Sequence, residues 1–190
     1  MKEVIGILAA ILVLAGYIPY IRDVLRGKTH PHIYSWFLWG LLTIVIFGIQ
    51  ITHHAGFGGL VTIAAGIMCL IVLLLSVKNG VKDITVSDNV VLILTIAAMG
   101  LWLLAKQPLL AILLACLTDL LAFLPTVRKS WNKPFSETLS LYQLNTVRFG
   151  VAIIALDQYT FINIVWPAMW AVVNGIFSLG LIARRKSLAS

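Results

Sequence analysis

The sequence predicts an all-α integral membrane protein: seven transmembrane helices, built as two parallel three-helix repeats joined by a linker helix. Three observations predict it. First, 61% of the 190 residues are hydrophobic, 11% are charged, and the mean hydropathy is +1.01. A soluble domain carries about 25% charged residues, so this chain lacks the polar cover that water demands. Second, the apolar residues fall into seven runs near the length a bilayer needs. Third, 11 of the 14 Lys and Arg sit in alternate connections, as topology determinants do.

The first run, 4–21, opens MKEVIGILAAILVLAGYIP. A single Lys followed by Glu, with no small-x-small site, argues against a cleaved leader, so this run is read as a retained helix. Arg22, Arg26 and Lys28 follow it. The second run, 33–51, ends at His53 and His54. The third, 57–77, leads into Lys78 and Lys82. The fourth, 90–105, is the shortest and leads into Lys106. The fifth, 108–127, precedes Arg128, Lys129 and Lys133. The sixth, 139–156, precedes Asp157, and the seventh, 161–182, precedes Arg184, Arg185 and Lys186. Only an odd number of crossings in this register keeps the basic connections on one face. That places the N-terminus outside and the C-terminus in the cytoplasm, in a cell membrane.

An internal repeat divides the chain. GYIPYIRDVLRGKTHPHIYSWFLW closes the first run, and AFLPTVRKSWNKPFSETLSLYQLN closes the fifth. Each has an aromatic, an aliphatic and a proline: Tyr17-Ile18-Pro19 and Phe123-Leu124-Pro125. Each has an arginine three residues after the proline, Arg22 and Arg128, then a short basic loop. The offset maps runs one to three onto five to seven. Residues 1–77 form the first repeat, 78–107 the linker helix and its connections, and 108–190 the second repeat with a basic tail. Three helices plus one linker leave both triplets in the same orientation, a parallel repeat of the kind found in transporters.

This layout resembles the SWEET sugar transporters and the wider PQ-loop (MtN3-like) group. Bacterial nicotinamide riboside transporters share it. The resemblance covers nearly the whole chain in layout and rests on few residues. Pro19 and Pro125 match the prolines of the family's proline-glutamine pairs, with Tyr20 and Thr126 in place of the glutamines. Asn174 matches an asparagine in the third helix of the second triplet; the first triplet has no counterpart. The resemblance implies transport of a small polar solute, sugar or nucleoside-like, by rocking of the triplets about a midplane site. A non-transporting receptor, sensor or assembly subunit is the alternative.

Polar groups inside the runs mark the candidate site, because charges within a membrane are expensive and usually functional. Counted from the basic face at about 1.5 Å per residue, Asp119, Asn145, Arg148 and Asn174 all fall near the middle of a ~30 Å core. Asp119 and Arg148 are expected to pair or to share a wet cavity. They would serve either as a coupling pair, with Asp119 exchanging a proton, or as a structural clamp. Trp166, Trp170 and Asn174 lie at i, i+4 and i+8 on one helical stripe. Trp170 and Asn174 with Asn145 suit a hydroxylated ring or a base, while Trp166 fits an outer interface anchor better. Trp39 is the candidate wall opposite, with Trp36 either a second wall or a cytoplasmic anchor. Pro19 and Pro125 are candidate hinges of an inner gate, since proline removes a helical hydrogen bond.

Other classes fit poorly. The net charge of +7 sits beside apolar runs and so suits lipid headgroups, not nucleic acid. No lysine lies deep enough for a retinal Schiff base. His30, His32, His53 and His54 lack carboxylates at ligand spacing, so no metal or cofactor is expected. Cys69 and Cys116 read as small core residues. No phosphate loop or nucleophile elbow is present, so an enzyme is not expected. The expected partners are the bilayer and a small-molecule substrate, with a homo-oligomer allowed.

Overall fold

The computed structural model describes residues 1–80, 86–104 and 106–189. Lys82 and residue 105 of the fourth run lie outside the described residues. The described residues form α-helices α1 (Lys2–Leu25), α2 (Ile33–Thr52), α3 (Gly58–Asn79), α4 (Val86–Leu103), α5 (Pro108–Asn132), α6 (Leu139–Ile154) and α7 (Phe161–Ala189), with no strand. Of these, α1, α2, α3, α5 and α7 are long and apolar enough to cross a membrane.

Several helices outrun their apolar stretches on the basic side. α1 continues to Leu25, α5 to Asn132 and α7 to Ala189. Hydropathy marks where hydrocarbon would end, whereas a helix stops only where capping stops it. For α1 the stop is Gly27, whose φ of +69° suits glycine and lets its N–H donate to Val24 O at 3.1 Å. At the start of α2, the His32 ring accepts a hydrogen bond from Ser35 N at 3.4 Å, so this histidine caps a helix. Pro108 opens α5, where a missing N–H costs nothing. Pro19 and Pro125 both lie inside their helices, not at the ends.

The shortest helix is α6, not α4 as the sequence suggests; it has 16 residues. At 1.5 Å per residue it is about 24 Å long, below a ~30 Å core. Its sequence, LSLYQLNTVRFGVAII, carries the buried polar residues Asn145 and Arg148.

Packing follows a definite order. Sequential helices α1 and α2 do not pack backbone to backbone; α3 sits between them and packs on both, while Tyr17 and Tyr20 of α1 reach Trp36 of α2. In the same way α7 lies between α5 and α6, which meet through side chains such as Phe123 and Tyr142. The triplets meet where α1 packs on α6 and α2 packs on α5. α4 lies outside, against α5 and α2.

Small residues permit the closest approaches. A methyl added at Gly58 would lie 2.6 Å from Leu156 Cδ2 and 3.1 Å from Ala152 O, so glycine lets α3 come close to the end of α6 and Leu156 would have to move for any larger residue. The outer surface is apolar. On α1, Ile7, Ile11, Leu14 and Ile18 are about half exposed or more and form one helical stripe, while Ala9, Val13 and Tyr17 face inward and are buried. Such a surface suits lipid and not water.

Candidate functional site

One cavity lies between the triplets, lined by every helix except α4 among the described residues. It holds about 50 Å³. Asn174, Asn145, Trp170, Trp39, Asp119 and Arg148 all line it, although they come from four different helices. Pro19 and Pro125 do not line it.

The site divides into two polar centres. The first is Asp119 on α5, 3% exposed. Its Oδ2 accepts hydrogen bonds from Trp166 Nε1 at 2.8 Å and Trp170 Nε1 at 2.6 Å. Trp39 Nε1, from the other triplet, donates to the backbone carbonyl of Asp119 at 3.4 Å. Three indoles therefore gather around one residue. The i, i+4 spacing of Trp166 and Trp170 brings both N–H groups to the same oxygen.

The second centre is Arg148 on α6, 2% exposed. Its Nε donates to Asn145 Oδ1 at 2.7 Å, one turn earlier on the same face. Asn145 Nδ2 donates to Asn174 Oδ1 at 3.3 Å, and Asn174 Nδ2 donates to Trp170 O at 2.7 Å. A relay thus runs from Arg148 through both asparagines to the backbone of α7. The guanidinium lies 4.2 Å from the centroid of the Phe149 ring and 6.0 Å from that of Tyr17. Such cation–π contacts partly replace water around a buried cation. Nη1 is buried and has no hydrogen-bond partner.

Of the two arrangements expected for Asp119 and Arg148, a direct pair is not made, while both side chains line the one cavity. An aromatic layer lies between the two charges. Phe149 carries Arg148 on its face and meets Trp166 edge-on at 5.2 Å between centroids, and it stacks on Trp170 at 6.4 Å. The physical reason is competition. Two indole N–H groups already satisfy the carboxylate, and the amide of Asn145 lies one helical turn from Arg148.

Two tryptophans depart from the interface-anchor reading. Trp166 is 3% exposed and serves Asp119. Trp36 is also buried, packed edge-on against Tyr17 at 5.9 Å and Trp39 at 5.0 Å. Tyr17, Cys69 and Phe149 line the cavity without having been singled out. Tyr17 precedes Pro19 in the repeat motif, and Phe149 is i+4 from Asn145, so their faces were readable. Cys69 is a free thiol 3.6 Å from the Tyr17 hydroxyl, and nothing in the sequence distinguished it from Cys116.

Polar contacts tie the triplets together on both sides of the cavity. On the basic side, Thr138 donates to Asp23 Oδ2 at 3.0 Å and pairs with the Thr29 hydroxyl at 2.7 Å. Lys129 pairs with Glu137 and donates to His30 O at 2.5 Å, and Tyr142 donates to Glu137 Oε2 at 2.9 Å. On the other side, Lys2 Nζ donates to Asp157 O at 3.0 Å, and Asn163 Nδ2 donates to His53 O at 3.0 Å. A cavity of this volume admits a few water-sized groups. It is far below the roughly 300–1,000 Å³ of a pocket that engulfs an organic ligand.

The fold and site together define an all-helical protein with several membrane-length apolar helices around a buried polar and aromatic cavity. Comparison of the chain with protein-family models, curated proteins and solved structures gave no match.

Proposed function

We propose that the chain is a multi-pass membrane transporter of a small polar solute, sugar or nucleoside-like, working by alternating access. In this reading all seven helices cross the bilayer of a cell membrane, with the N-terminus outside. The single observation that carries it is one cavity shared by both triplets. It holds Trp39 on one side and Asp119, Asn145, Arg148, Trp170 and Asn174 on the other. A receptor or an assembly subunit has no need of a polar cavity at the centre of its bundle.

The packing order supports the repeat. Exchanging α1 with α5, α2 with α6 and α3 with α7 leaves the pattern of helix contacts among these six unchanged. That is the layout that the SWEET-like resemblance implies. Closure by polar contacts on both sides, around a cavity too small for a sugar, fits an occluded state. The solute site would form when one set of contacts opens. Pro19 and Pro125 lie inside α1 and α5, two of the helices that must bend, and are placed to act as hinges. Asp119 is the group positioned to exchange a proton.

Uptake by proteoliposomes of purified protein, with a panel of sugars and nucleosides, tests the reading. Accumulation of one solute class, abolished by Asn174→Ala, is the expected result. Absence of flux for every solute would sink the transport reading. Normal uptake by the Asn174→Ala variant would remove that residue from the site, and indifference to a pH gradient would remove proton coupling.

A further inference from the structure

Among the described residues, Arg148 is the one cation with a buried side-chain nitrogen that has no hydrogen-bond partner. It is 2% exposed, and only its Nε has a protein acceptor, Asn145. Nη1 is sealed from solvent with no partner, and Nη2 donates to no described group. No carboxylate among the described residues pairs with it; Asp119 is engaged through Oδ2 by two indole donors across the aromatic layer. Leaving a buried charge uncompensated is expensive, so a fold that keeps one has a reason outside its own contacts. Purely structural arginines inside membranes pair with acids or with backbone carbonyls, and Arg148 does neither at its terminal nitrogens.

The open side of a guanidinium is a fork of N–H donors that matches the two oxygens of a carboxylate. A hydroxyl or a lone carbonyl fills only part of that fork and brings no charge. Phe149, which carries the guanidinium on its face, and Trp170 line the same cavity beside it, and a solute body would lie along them once that cavity of about 50 Å³ opens. We infer that the solute carried by this site is a carboxylate-bearing compound with a planar apolar body, its carboxylate seated on the Nη nitrogens of Arg148. This rests on the alternating-access reading and replaces its solute class: neutral sugars and nucleosides become weak solutes, and small aromatic acids become strong ones.

The test uses the purified full chain and three probes of nearly equal size: benzoate, benzamide and benzyl alcohol. Binding is measured by calorimetry in detergent and flux in proteoliposomes. Benzoate is expected to bind about tenfold or more tighter than benzamide, the ratio of a charge-assisted to a neutral hydrogen bond. Arg148→Gln is expected to erase that preference. Arg148→Lys, which keeps the charge and loses the fork, should weaken benzoate while leaving benzyl alcohol unchanged. Equal or absent benzoate binding by the wild-type protein overturns the assignment even if Arg148→Gln fails to fold. So does benzoate affinity untouched in Arg148→Lys. Flux of glucose or uridine without any carboxylate preference would remove the assignment and leave transport standing. Carboxylate-selective binding with no flux of any probe would remove transport and leave the assignment standing.

Discussion

Replacing Asp119 with leucine should destabilise the protein far more than replacing it with asparagine. Both residues branch at the same carbon as aspartate, so packing changes little. Asparagine keeps an oxygen that can accept from Trp166 and Trp170, now 2.8 and 2.6 Å from Oδ2. Leucine leaves both N–H groups facing apolar atoms. Side-chain hydrogen bonds inside membrane proteins contribute about 0.6 kcal/mol on average and up to about 1.7. Two of them, both made to a carboxylate, place the loss for Asp119→Leu at about 1–3 kcal/mol. Asp119→Asn should cost under ~1 kcal/mol, because the bonds weaken without disappearing. Unfolding in mixed micelles with increasing SDS, followed by far-UV circular dichroism, measures both. Trp170→Phe, which deletes one donor and keeps most of the ring, completes a double-mutant cycle. Its cost should be clear in the wild-type background and nearly vanish in Asp119→Leu. An Asp119→Leu protein as stable as wild type, or a Trp170→Phe cost identical in both backgrounds, would show that the indoles are not held by this carboxylate.

Two further outcomes follow from packing and closure. Gly58→Ala drives a methyl to 2.6 Å from Leu156 Cδ2 and should cost about 1–3 kcal/mol in the same SDS titration. Adding Leu156→Ala should return part of that loss, and no recovery would mean that the α3–α6 crossing is not the cause. Glu137→Ala removes the partner of Lys129 and of the Tyr142 hydroxyl on the basic side. In a Cys116→Ala background, a small maleimide should then label Cys69, which lines the cavity, several-fold faster than without the change. An unchanged labelling rate would show that these contacts do not close the cavity.

How much was legible depended on the physics involved. The helices were legible because lipid imposes long apolar runs, and each run found its helix. Their ends were less so: hydropathy marks only where an apolar run ends, whereas α1 and α5 run on until a glycine cap or a loop stops them and α7 reaches the last described residue. That Asp119, Asn145, Arg148 and Asn174 come to one level was also legible, since rise per residue fixes position along a helix, and all four line one cavity.

What the sequence alone determined, then, was a set of apolar helices and the position of their polar residues along them. Depth along an axis says nothing about rotation around neighbouring helices. Only the tertiary structure decided that Asp119 would be held by indoles and Arg148 by an amide, with Phe149 between them. It also turned Trp166 inward, because a buried carboxylate needs donors more than the interface needs another aromatic ring. Hydrogen-bond partners are chosen by distances of a few ångströms across helices far apart in sequence, such as the 47 and 51 residues that separate Asp119 from Trp166 and Trp170. No periodicity within one helix encodes that choice.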